Sequence, residues 1–319
     1  MIDLKPILHA ARQAADLTRR VQKLHLANAD KGTGSDPVTI ADYGSQAVLL
    51  RAISHAYPDD GILAEESGDQ FLSLVSDAHR RTILEIVGDV IGESITEGQL
   101  IGWLDWGRGR DAARTWAIDP VDGTKGYVAG RRYSIAIALL EHGTPTAGVL
   151  ACPGYPSRSG AGMLFYAQKN AAYVEAMESP GSAHRVAVST RSAPAQFRIV
   201  ESVERSHAHL ERMHGVYQTF GAPLSQVESV DSQDKYAMIA AGDADLMLRL
   251  PRETTPQHKL WDHAAGAALV RAAGGVVTDV DGSPLDFSTG AVLPNRGMIV
   301  SNGLLHDQIV EIVQAALQS

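Results

Sequence analysis

Leu4, Ile7, Leu8, Ala11, Ala15, Leu17, Val21 and Leu24 recur three and four positions apart with charged residues between them. That stripe predicts an amphipathic helix over residues 3 to about 27, with Asp3 as its N-cap. Lys31–Pro37 is a loop by composition, a second helical pattern runs from about Gly44 to Ala56, and Pro58-Asp59-Asp60-Gly61 breaks it. Ile62-Leu63-Ala64 reads as a short strand ending at Glu65-Glu66, and strand character resumes only at Thr115–Ile118. The intervening residues 69–114, helical near Ile83 to Ile91, therefore read as an insertion between two strands. Tyr133–Leu140 and Thr146–Ala151 flank His142-Gly143-Thr144-Pro145 as an antiparallel hairpin, and Met163–Ala167 with Ala172–Val174 continue that sheet. After about Pro180 strands and helices alternate: strands at Arg185–Val188, Phe197–Glu201, Asp245–Leu250, Val276–Asp279 and Met298–Ser301, and helices at Val203–Tyr217, Ser232–Ala241, His263–Ala273 and Leu304–Leu317. The expectation is an α+β half over residues 1–180 and an α/β half over residues 181–319.

Composition narrows the function. The 319 residues are 45% apolar and 20% charged, the balance of a globular chain with a sizeable core. A net charge of −9 argues against general nucleic-acid affinity, so an anionic substrate needs local cations. One cysteine, Cys152, permits neither an intrachain disulfide nor a Cys-clustered metal site, which suits the cytoplasm. The longest apolar runs fall far short of the roughly 20 residues that cross a bilayer, and the first residues carry no secretory pattern, so no membrane association is expected.

The chemistry concentrates in Trp116-Ala117-Ile118-Asp119-Pro120-Val121-Asp122-Gly123-Thr124-Lys125-Gly126. A strand ends in two carboxylates that repel each other unless a cation lies between them, and hard oxygen ligands suit Mg²⁺. The Gly123 and Thr124 amides can cradle a phosphate. Taken alone, Asp-Pro-x-Asp-Gly is also an ordinary turn, Glu65-Glu66 a solvated loop, and Asp262 in Trp261-Asp262-His263 a plain N-cap.

Together and in this order, Ile62–Ser67, Asp119–Gly126 and Trp261–Gly275 resemble the inositol monophosphatase superfamily of Mg²⁺-dependent, lithium-sensitive phosphatases. Asp36–Tyr43, the Lys125-Gly126 pair, Asp231–Tyr236 and Asp245–Pro251 are most similar to its 3'(2'),5'-bisphosphate nucleotidase branch. The resemblance implies a layered α-β-α-β-α sandwich of the inositol monophosphatase/fructose bisphosphatase type. It implies two or three Mg²⁺ ions: Glu65, Asp119 and the Val121 carbonyl holding one, and Asp119, Asp122 and Asp262 a second. It further implies that Asp42 and Thr124 orient the attacking water, with Glu65 helping to take its proton. Gly123, Thr124, His207, Ser232, Lys235, Arg249 and Asp262 would bind a small nucleotide bisphosphate, with His209 an alternative to His207. On the residues alone, Asp42 reads as a cap for the second helix. An inositol phosphate is the rival substrate, and a sensor that keeps the fold without the reaction is the rival from another class. The length of the 69–114 segment departs from the pattern, and a lid over the site is one role open to it.

Overall fold

The computed structural model describes residues 2–23, 40–203, 210–251 and 258–318. Helix α1 (Lys5–Lys23) buries Ile7, Ala11, Leu17 and Val21, with Leu4 buried just before it, and its first turn is tied by Asp3 Oδ1, which accepts the Lys5 N–H at 3.1 Å. Helix α2 (Ile40–Ala56) starts earlier than the pattern predicts, because twelve of its seventeen residues are buried and no polar face marks its start. Asp42 therefore lies inside its first turn instead of capping it from outside.

The first sheet runs in the order β1 (Gly61–Ala64), β2 (Arg114–Asp122), β3 (Ser134–Glu141), β4 (Thr144–Cys152), β5 (Met163–Gln168), β6 (Ala171–Ala176) and β7 (His184–Val186). All neighbours are antiparallel except β1 and β2. Strand β7 joins this sheet although it lies beyond residue 180. The β3–β4 turn is tighter than the four residues expected: His142 (φ 50°) and Gly143 (φ 74°) make it, the paired left-handed residues of a two-residue hairpin turn.

A parallel β1–β2 pair demands a crossover, and that is what residues 68–113 provide. Helices α3 (Gly68–Leu74), α4 (Asp77–Ile91) and α5 (Glu97–Leu104) pack through Phe71, Val75, Ile83, Val87, Leu100 and Leu104 into the same apolar cluster as α1 and α2. The segment is an outer layer of the core, which corrects the lid reading.

The second sheet has the order β12 (Val276–Thr278), β14 (Met298–Ser301), β10 (Leu246–Arg249), β8 (Ile199–Glu201), β9 (Val227–Ser229). Strands β11 (His258–Lys259) and β13 (Val292–Leu293) form a separate ribbon. Helices α8 (Asp234–Ala240) and α9 (Ala264–Ala272) lie between the two sheets: Ala117, Ala136, Ala138 and Leu150 of the first sheet share one cluster with them and with Val200, Met247, Val277 and Val300 of the second. Small residues make this possible. A Cβ at Gly266 would come within 2.3 Å of the Tyr236 ring, so only glycine lets α8 and α9 approach so closely. Helices α7 (Leu210–Phe220) and α10 (His306–Gln318) cover the outer face through Met213, Val216, Tyr217, Ile309 and Val313. The result is the expected five-layer α-β-α-β-α sandwich. The expected helix from Val203 falls partly outside the described residues, as do the loop at Lys31–Pro37 and the Asp36–Thr39 part of the Asp-Tyr motif.

Candidate active site

A strand alternates faces every residue, so Asp119 and Asp122, three positions apart, would ordinarily point to opposite sides. They do not, because the register slips between them: Asp119 stands opposite Ala136 and Asp122 opposite Ser134, three steps on β2 against two on β3. The extra residue is a β-bulge at Pro120-Val121, where proline has no N–H to give to the ladder. Both carboxylates thus share the face of Ala117 and Ala136, toward α8 and α9. Helix α2 fixes the strand ends from the opposite side. Ser45 Oγ donates to the Pro120 carbonyl at 2.9 Å, while the Gln46 amide clamps the Glu66 peptide, donating to its carbonyl at 2.8 Å and accepting its N–H at 2.9 Å. Glu65, between β1 and that clamp, lines a cavity of about 370 Å³ with Asp119, Val121, Asp122 and Asp262.

The carboxylates strain against one another. Burial pushes the Asp119 carboxyl well above the usual range, and the charges of Glu65, Asp122, Asp262 and Asp42 push it further. Asp262 is raised in the same way, by burial and then by Asp122 and Glu65. Asp122 is raised by burial but eased by Lys235, by Arg249 and by the Gln233 N–H it accepts on Oδ2. Asp119 Oδ1 is buried without a hydrogen-bond partner among the described residues. Among those residues no three His, Cys, Asp or Glu side chains close on a single point as a finished ligand set. Still, an orphaned carboxylate oxygen, the carboxylates of Glu65, Asp122 and Asp262, which line the same cavity and raise its pKa, and the Val121 carbonyl are a hard-oxygen donor set that fits Mg²⁺. Asp262 is not the cap of α9: that position is His263, and no side chain at it makes the capping bond.

The turn after Asp122 is equally constrained. Gly123 adopts φ +86°, and a Cβ there would stand 3.2 Å from Ser232 Cβ, so a side chain would be strained and would crowd the opposite wall. Thr124 opens the short helix α6 (Thr124–Val128) and donates its hydroxyl to the Val121 carbonyl at 2.9 Å, leaving the oxygen free to accept. Across the cavity, Ser232 (φ 66°), Lys235 and Arg249 complete the wall. Lys235 Nζ donates to the carbonyls of Val230 (2.9 Å) and Ser232 (2.6 Å), and burial lowers its pKa to about 8 against the pull of Asp122.

The profile of the Inositol monophosphatase family matches residues 3–318. The chain belongs to that family. Its relatives include the 3'(2'),5'-bisphosphate nucleotidase of Emericella nidulans, 34% identical over 97% of this chain and 96% of that one, and 3'(2'),5'-bisphosphate nucleotidase 2 of Candida albicans, 32% identical over 95% and 94%. The fold matches the IMPase of Thermotoga maritima with a TM-score of 0.66 at 23% identity, over 98% of this chain and 96% of that one.

In this family member the cavity gathers Glu65, Asp119, Val121, Asp122, Gly123, Thr124, Ser232, Lys235, Arg249 and Asp262. Asp42 is buried behind it, close enough for its charge to act on Asp119, but it does not line the cavity. His207 and His209 lie outside the described residues. No helix among those described is long and apolar enough to cross a membrane. Sequence reasoning missed Gln233. Its backbone N–H serves Asp122, its amide donates to the Trp261 carbonyl at 3.0 Å, and it accepts the Gly266 N–H of α9 at 3.1 Å. One buried side chain thereby ties the Asp122 and Asp262 segments together. The only signal was its place between Ser232 and Lys235. His263 and Tyr236 were also passed over, although both stand in motifs already singled out.

Proposed function

We propose that the chain is a 3'(2'),5'-bisphosphate nucleotidase, hydrolysing the 3'-phosphate of adenosine 3',5'-bisphosphate to AMP and phosphate and also accepting 3'-phosphoadenosine 5'-phosphosulfate. The observation that carries this reading is a single cavity holding both a carboxylate cluster and cations, Lys235 and Arg249 among them, in a family member whose full-length relatives bear that name. Two phosphates need two kinds of site. Glu65, Asp119 and the Val121 carbonyl would hold one Mg²⁺, and Asp119, Asp122 and Asp262 a second. When bound, the metal supplies Lewis-acid activation of water and charge neutralisation at the leaving oxygen. Thr124 Oγ1, its proton spent on Val121, accepts from the attacking water and with Asp42 aims it, while Glu65 receives the proton. The N–H groups of Gly123 and Thr124 face the transferring phosphoryl group. Lys235, Arg249, Ser232 and His207 bind the nucleotide and the phosphate that stays.

The test is phosphate release from adenosine 3',5'-bisphosphate, inositol 1-phosphate and inositol 1,4-bisphosphate in parallel, with Mg²⁺, with a chelator and with lithium. The expected result is turnover of the nucleotide that chelator and lithium both suppress. Faster turnover of an inositol phosphate would overturn the substrate assignment while leaving the metal chemistry in place.

A further inference from the structure

Lys235 and Arg249, two of the cations lining the cavity, are held differently from several arginines of the protein. Arg12 bonds Glu175, Arg114 bonds Asp60, Arg131 bonds Asp231 and Arg191 bonds Asp245, each cation cancelled by a carboxylate. Arg249 has no carboxylate partner among the described residues. Its guanidinium meets His263 Nε2 at 3.4 Å, just as Lys235 rests on two peptide carbonyls. A guanidinium has donors and no acceptors, so the ring nitrogen facing it must be bare. The imidazole proton then sits on Nδ1, which meets Tyr236 Oη at 2.9 Å, and the tyrosine proton turns to Met298 Sδ at 3.4 Å. The proton order along this chain is consistent from Arg249 to Met298, and no member carries a negative charge.

We propose that His263 is a positioning residue for substrate selection: as a neutral acceptor it orients the Arg249 guanidinium without forming an ion pair with it, so that the cation can meet the phosphate that is not cleaved. This rests on the bisphosphate reading above. A carboxylate in the same place would hold Arg249 as firmly and neutralise it, in a cavity that already holds five acidic side chains.

The experiment compares kcat and KM for adenosine 3',5'-bisphosphate and adenosine 3'-monophosphate, which lacks the second phosphate, in wild type, His263→Phe and His263→Gln. In His263→Phe the preference for the bisphosphate, as a ratio of kcat/KM values, is expected to fall about tenfold, with the loss in KM, since a charge-directed contact is loosened. The amide of His263→Gln restores a neutral acceptor and is expected to recover most of the ratio. A merely structural role would lower both substrates together and leave the ratio intact, which overturns the proposal. Wild type without a preference for the bisphosphate overturns the substrate reading itself, whatever the variants do. Should His263→Phe not fold, the ¹⁵N shifts of His263 in the wild-type protein decide: a protonated Nδ1 and bare Nε2 support the arrangement, and a protonated Nε2 overturns it.

Discussion

Asp122 and Asp234 are both buried or partly buried acids of the same neighbourhood, yet they call for opposite experiments. Asp122→Asn keeps the shape and an acceptor for the Gln233 N–H but removes a charge from the proposed donor set. Phosphate release is expected to fall at least about a hundredfold, while calorimetry still detects nucleotide binding; a variant that retains turnover would remove Asp122 from the ligand set. Asp234 has no assigned role in the reaction. Burial pushes its carboxyl up to about 7, against the pull of the Cys152 thiol, Arg132 and Lys235. The folded protein therefore holds this proton more tightly than the unfolded chain, so its contribution to stability is present at low pH and is lost as pH rises from about 4 to about 7. Melting temperatures measured across that range should decline more steeply in wild type than in Asp234→Asn, and parallel curves would refute the assignment. The sequence makes the acids of the proposed metal set visible because their spacing is local. It hides Gln233, whose three partners lie about 110, 30 and 30 residues away and meet only in the folded chain.

At the level of elements, alternation revealed the strands and turn chemistry the hairpins, since both are written within a few consecutive residues. Helix α2 was misjudged at its start because burial on nearly all sides erases the polar stripe that periodicity needs. The 69–114 segment was recognisable as extra length, whereas its purpose depends on β1 and β2 being parallel, which no local pattern encodes. The junction of α8 and α9 gives the test at this scale. Gln233→Ala leaves the Gly266 N–H and the Trp261 carbonyl without their partner, and buried groups so abandoned cost about 1–3 kcal/mol each. Urea unfolding should show a loss of about 2–6 kcal/mol for the two together, and kcat should fall with it because Asp262 is no longer tied to Asp122. Unchanged stability would mean that α9 is capped by other means.

Over the whole molecule, five layers stack so that each sheet is covered on both faces and the proposed chemistry lies where the first sheet meets the central helices. The outermost layer on the α2 side bears load instead of gating entry: none of residues 69–114 lines the cavity. Phe71, fully buried against Tyr43, is therefore expected to cost about 3–5 kcal/mol when replaced by alanine, with KM for the nucleotide unchanged; a shift in KM without loss of stability would restore a gating role. The slipped register at Pro120-Val121 reaches across the same stack. Parity decides which layer a strand residue addresses, and an odd interval needs one supernumerary residue to become even. Were the ladder to close regularly over the same three steps, the second carboxylate would point into the Ile- and Leu-rich layer beneath α1 and α2, so this stretch is constrained in register before it is constrained in composition.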